Sequence, residues 1–138
     1  MRLGRTFGGG MMVALVLTVT TTLVAGTRSQ EVTVDQAREL IQNRAGSAGF
    51  IILDVRTPEE FAEGHLSGAM NLNVLGPDFE RQVGTLDREK SYLVYCRTGN
   101  RSARAIQAMD RLGFRSVYHM FEGIVAWQKK GFPLSKSS

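Results

Sequence analysis

Tyr92-Leu93-Val94-Tyr95-Cys96-Arg97-Thr98-Gly99-Asn100-Arg101-Ser102 runs from four apolar residues through a thiol into a short polar loop. A continuous apolar run of this length fits a strand buried on both faces. From Ser102 to Leu112, Ala105, Ile106, Ala108, Met109 and Leu112 recur at helical spacing, and Gly113 supplies a C-terminal stop. A strand that turns at once into a helix aims backbone N–H groups and the positive end of the helix dipole at one spot. The nearest anion is the thiolate of Cys96, the chain's only cysteine. Helix N-termini and nearby arginines lower a thiol pKa from about 8.5 into the range of about 3.5–7.5. Arg97 and Arg101 add charge-assisted hydrogen bonds for an anionic ligand. The segment reads as an activated sulfur nucleophile in an anion cradle. A buried structural cysteine is the competing reading, and the polar loop with its two arginines argues against it.

The surrounding segments alternate between helical and extended patterns. Thr33 followed by Gln36 forms a capping box for a helix through about Arg44, with Ala37, Leu40 and Ile41 on its apolar face. Phe50-Ile51-Ile52-Leu53 is a second short apolar run. Thr57-Pro58-Glu59-Glu60 opens a short helix, with Thr as N-cap, Pro in the first turn and Glu three residues after the cap. A short strand is predicted over Ala69 to Leu72, a helix from Pro77 to Val83, a strand from Ser116 to His119 and a last helix from Ile124 to Lys130. This alternation implies an α/β domain whose mainly parallel sheet is covered on both sides. Such sheets place ligands beyond the C-terminal ends of their strands. Cys96 and Asp54-Val55-Arg56 both fall at such ends.

The N-terminus has a different character. Arg2 and Arg5 give a basic start, no charge appears from Thr6 to Thr27, and small residues close the stretch at Val24-Ala25-Gly26. That pattern predicts a secretory signal peptide over residues 1–26, cut after Gly26 or Ala25, with the domain in residues 27–138. The protein is then expected to be exported, most simply to a bacterial periplasm, without stable membrane insertion after cleavage. The alternative is an uncleaved anchor, because a bilayer needs about 20 apolar residues; Gly8 to Gly10 and the threonine run weaken it. Loss of Arg2 and Arg5, with no acid lost, would lower the net charge from +4 to +2. That is too mild to argue for nucleic acid. Between Arg97 and Arg115, five arginines accompany a single acid, Asp110, which suits a small anionic ligand. A lone cysteine in an oxidising compartment makes no internal disulfide and points to a reactive thiol or intermolecular pairing. No metal set is expected from one cysteine with two histidines, His65 and His119. His65, in a turn after a helix, reads as structural; His119 shows no partner pattern. Asp54 reads as an acceptor that orients the loop and, equally, as a strand-end acid paired with an arginine; the two roles are compatible. Arg56 reads mainly as structural.

Four stretches in order, Leu53 to Asn73, Tyr92 to Ser102, the helix through Gly113, and Phe121 to Leu134, make the chain similar to the rhodanese family in its single-domain form. The resemblance spans about Val32 to Leu134. It implies the rhodanese α/β fold, with a central parallel sheet of about five strands flanked by helices on both faces. It also implies that Cys96 is the catalytic cysteine of a thiosulfate sulfurtransferase-like enzyme, with Arg97, Thr98, Gly99, Asn100, Arg101 and Ser102 as the substrate cradle and Asp54 and Arg56 in support. The partners so implied are a small anionic sulfur donor such as thiosulfate and a thiol or cyanide acceptor, with no cofactor. A sulfur-carrier or docking module with little small-molecule turnover is the alternative. Four residues separate Cys96 from Arg101, one fewer than in the loop of cysteine phosphatases, and the shorter loop leaves room for the extra sulfur of a persulfide.

Overall fold

The computed structural model describes residues 29–137 and Gly4; apart from Gly4, the expected leader lies outside the described residues. In chain order the elements are β1 (Ser29–Val32), α1 (Val34–Arg44), β2 (Phe50–Asp54), α2 (Pro58–Glu63), β3 (Met70–Asn71), α3 (Phe79–Gly84), β4 (Ser91–Tyr95), α4 (Asn100–Arg111), β5 (Ser116–Met120) and α5 (Gly123–Lys129). The strands form one parallel sheet in the order β1-β5-β4-β2-β3. β4, which delivers Cys96, is its central strand.

Side chains on successive strand residues point to opposite faces, and here each face meets its own helices. Leu53, Tyr92, Val94 and Val117 pack with Phe79 and Val83 of α3 and with Ala105, Ile106, Ala108 and Met109 of α4. Ile52, Leu93, Tyr95 and Met120 pack instead with Val34 and Ala37 of α1 and with Ile124 and Trp127 of α5. Both faces of the central strands are therefore apolar, which explains the unbroken runs at 50–53 and 92–95. No helix among the described residues is long and apolar enough to cross a membrane.

The capping box at Thr33 forms in full: its hydroxyl accepts from Gln36 N–H, and the Gln36 side chain accepts from Thr33 N–H. Thr57 accepts from Glu60 N–H, with Pro58 as the first helical residue. The five parallel strands match the sheet that the family resemblance implies, and two readings of the local pattern are refined. The pattern reading gave four strands, and the fifth, β1, is the polar segment Ser-Gln-Glu-Val at the sheet edge, where only Val32 is buried. An edge strand needs one buried side chain here, so it carries no alternating signal. α4 begins at Asn100 rather than Ser102, because Gly99 takes a left-handed conformation (φ 101°) and closes the turn two residues sooner.

Candidate functional site

The loop from Cys96 to Gly99 is fixed by the start of α5. Ile124 and Val125, in the first turn of α5, donate their N–H groups to the carbonyls of Cys96 (2.9 Å) and Arg97 (3.2 Å). The packing is close enough to demand glycine at two points. A Cβ on Gly99 would stand 2.2 Å from the Phe121 carbonyl oxygen, and one on Gly123 2.1 Å from the Arg97 carbonyl oxygen. Both residues also have positive φ, which side-chain-bearing residues rarely adopt. With the first two loop carbonyls held by α5, the loop's N–H groups are left for the sulfur.

Gly99 N–H donates to Cys96 Sγ at 3.1 Å, and Ser102 Oγ lies 3.3 Å from the same atom. Cys96 is 1% exposed. Burial pushes its thiol pKa up, but the Ser102 hydroxyl and the N–H groups of Ser102, Gly99 and Thr98 outweigh that, and the pKa falls below its ordinary value. The downward shift thus comes from hydrogen bonds rather than from exposure to water.

The sequence-predicted arginines part company. Arg97 is exposed and lines a pocket of about 310 Å³ together with Arg56, Glu60, Glu63 and Gln128. Arg101 is held by Glu60 of α2, with Nη1–Oε1 2.6 Å and Nη2–Oε2 2.9 Å. Its two-pronged contact goes to a carboxylate of the chain itself, not to the mouth of the loop. Asp54 and Arg56 form a closed buried pair: Asp54 accepts from Arg56 N–H (2.9 Å), Nε (3.0 Å) and Nη2 (2.7 Å). Arg56 Nη2 also donates to the Gly64 carbonyl (2.6 Å), which ties β2 to the end of α2. Asp54 makes no hydrogen bond to the loop, so of its two sequence readings the geometry matches the paired acid. His65 Nδ1 lies 2.8 Å from the Phe61 carbonyl, and its ring stacks on that of Phe61. His119 is the residue that sequence reasoning passed over: its Nε2 lies 2.7 Å from Ser102 Oγ. The alternation Val117, His119 gave the one available hint, since it turns the imidazole inward with an apolar neighbour. Among the described residues no group of acids, histidines and thiol is placed to hold a metal ion.

The Glu60–Arg101 bridge makes a pH prediction. Hydrogen bonding to Arg101 pulls the Glu60 carboxyl down to about 2, against burial and with help from Thr57. A carboxyl with a depressed folded-state pKa stabilises fully above its ordinary pKa of 4.5 and loses that contribution as pH falls towards about 2. Both side chains are partly exposed, so the contribution is up to about 1 kcal/mol. The stability gap between the wild type and Glu60→Gln, measured by urea unfolding, is expected to close over that window. A gap unchanged with pH would mean that the bridge contributes nothing.

A family model for the rhodanese-like domain matches residues 33–130. The chain is 38% identical over 96 residues to a protein of Arabidopsis thaliana named thiosulfate sulfurtransferase 16, chloroplastic, covering 62% of this chain and 80% of that one. It is 29% identical over 99 residues to a sulfurtransferase of Allochromatium vinosum, covering 71% and 90% of the two chains. Among solved structures, a rhodanese-related protein of Thermoplasma volcanium aligns with a TM-score of 0.66 and 28% identity, over 78% of this chain and 99% of the other. A sheet that delivers a thiol into a glycine-tightened loop, together with these similarities, leads to one assignment: the chain belongs to the rhodanese-like domain family.

Proposed function

We propose that the protein is a sulfurtransferase that moves a sulfane sulfur from a small anionic donor such as thiosulfate to a thiol or cyanide through a persulfide on Cys96. The observation that carries this reading is the pair of donors on Sγ, Gly99 N–H and Ser102 Oγ, which favour the nucleophilic anion. Relatives named as sulfurtransferases support it.

The chemistry is a two-step covalent route with ping-pong kinetics. The Cys96 thiolate attacks the outer sulfur of thiosulfate, an S–S bond forms, and sulfite leaves with the electron pair of the broken bond. The acceptor's lone pair then attacks the terminal sulfur of the persulfide, and the Cys96 thiolate returns. No general base is needed where the sulfur is already ionised. The loop N–H groups of Thr98, Gly99 and Ser102 receive the negative charge throughout. Arg97, exposed at the pocket beside the loop, attracts the anionic donor, whereas Arg101 is neutralised by Glu60 and holds the loop in place. With Cys96 almost fully buried, a slender terminal sulfur reaches Sγ more readily than a bulky group. Export to the periplasm, after removal of residues 1–26, belongs to the same proposal and rests on the N-terminal pattern alone.

Mass spectrometry tests the reading. After thiosulfate treatment the protein should gain one sulfur atom at Cys96 and lose it to cyanide as thiocyanate. A protein that passes sulfur only to a partner protein, with negligible turnover of thiosulfate, would instead be a carrier module. Absence of any sulfur gain would overturn the proposal.

A further inference from the structure

The Ser102 hydroxyl has one proton and three polar neighbours: Cys96 Sγ at 3.3 Å, the Gly99 carbonyl oxygen at 3.0 Å and His119 Nε2 at 2.7 Å. An anionic sulfur and a carbonyl oxygen can only accept. The imidazole nitrogen donates or accepts according to its tautomer. If Nε2 carried no proton, it would be the nearest acceptor and would draw the hydroxyl proton away from the sulfur. If Nε2 carries a proton, it donates to Oγ, and the hydroxyl proton is left for Sγ or for Gly99. A charged acceptor makes the stronger hydrogen bond, so the proton turns to the thiolate. The fold enforces the contact, because β5 lies beside β4 and beneath α4, and all three polar partners are buried.

We infer that His119 is a positioning residue for the proposed sulfur chemistry, its Nε2–H fixing the Ser102 hydroxyl as a donor to the Cys96 sulfur. The inference rests on the reading of Cys96 as the nucleophile. The groups that act on the His119 ring are Glu31, its register partner on the neighbouring strand β1, the backbone of Gly99 and the Ser102 hydroxyl of α4, which in turn reaches Cys96 Sγ. Burial lowers the His119 pKa, against the opposing pull of Glu31 and the Gly99 carbonyl, and so favours the neutral ring with a single N–H. A neutral donor is what the arrangement needs, since no proton has to leave the ring during sulfur transfer.

The thiol pKa, read from the pH dependence of the Cys96 alkylation rate, tests this without any sulfur donor, so its failure is separable from failure of the proposed function. In His119→Leu, Oγ loses the N–H that orients and polarises its O–H bond, so its donation to Sγ weakens and the thiol pKa is expected to rise by about one unit, about a tenfold loss of thiolate below the pKa. In His119→Gln the amide nitrogen stands as many bonds from the backbone as Nε2 does, and the wild-type value should return. In His119→Asn the amide falls one bond short, so the value should stay raised. A wild-type thiol pKa in His119→Leu, or a Gln variant no better than Leu, would overturn the inference. Should the Leu variant fail to fold, the Gln and Asn variants decide: equal values in the two would overturn it.

Discussion

Cys96→Ser is expected to abolish sulfur loading. The variant should show no mass gain with thiosulfate, and thiocyanate formation should fall by about three orders of magnitude or more, because a covalent route disappears with its nucleophile. Serine keeps the shape of the side chain and the hydrogen bonds from Gly99 and Ser102, so the fold should survive intact. The cradle lowers the pKa of a thiol that starts at about 8.5; a hydroxyl starts far too high for the same few donors to ionise it. Retained activity in Cys96→Ser would place the chemistry elsewhere and remove the reason for the loop's architecture.

Asp54→Ala should produce the largest loss of stability. Asp54 is fully buried, and among the described residues its carboxylate is the one that forms an ion pair with the Arg56 guanidinium, which is itself 5% exposed. Removing one member of a buried pair leaves an uncompensated charge and costs about 3–5 kcal/mol. A domain of this size has about 5–15 kcal/mol in total, so urea unfolding should shift conspicuously. The thiol pKa of Cys96 in the folded fraction should stay close to that of the wild type, because no hydrogen bond runs from Asp54 to the loop. That combination separates a latch between β2 and α2 from a part of the sulfur cradle. A stable Asp54→Ala variant with a shifted thiol would reverse the two roles.

What the sequence disclosed follows the reach of its signals. The strand, loop and helix around Cys96 were legible because β4 is buried on both faces and α4 on one, so their hydrophobic periods are clean. Thr33 with Gln36, and Thr57 with Pro58, marked helix starts because capping is a local matter. β1 was invisible for the opposite reason: three of its four residues are polar, and the edge position buries only Val32. The site itself was half legible. Cys96 and the loop lie in one segment, but the Glu60–Arg101 bridge joins residues 41 apart and Ser102–His119 residues 17 apart. Their pairing depends on strand order and on the direction of α2 and β5, which no local pattern encodes. Arg101 illustrates the consequence. Its place in the loop suggested a free cation for the donor, and a distant glutamate has claimed its guanidinium face.

The central claim is that amide and hydroxyl donors hold a buried sulfur as an anion, and the alkylation rate of Cys96 as a function of pH measures that most directly. A midpoint clearly below the value of about 8.5 for a free thiol, in folded protein without any ligand, is the expected result. A midpoint at or above that value, with slow alkylation throughout, would show a protonated structural thiol and contradict the account.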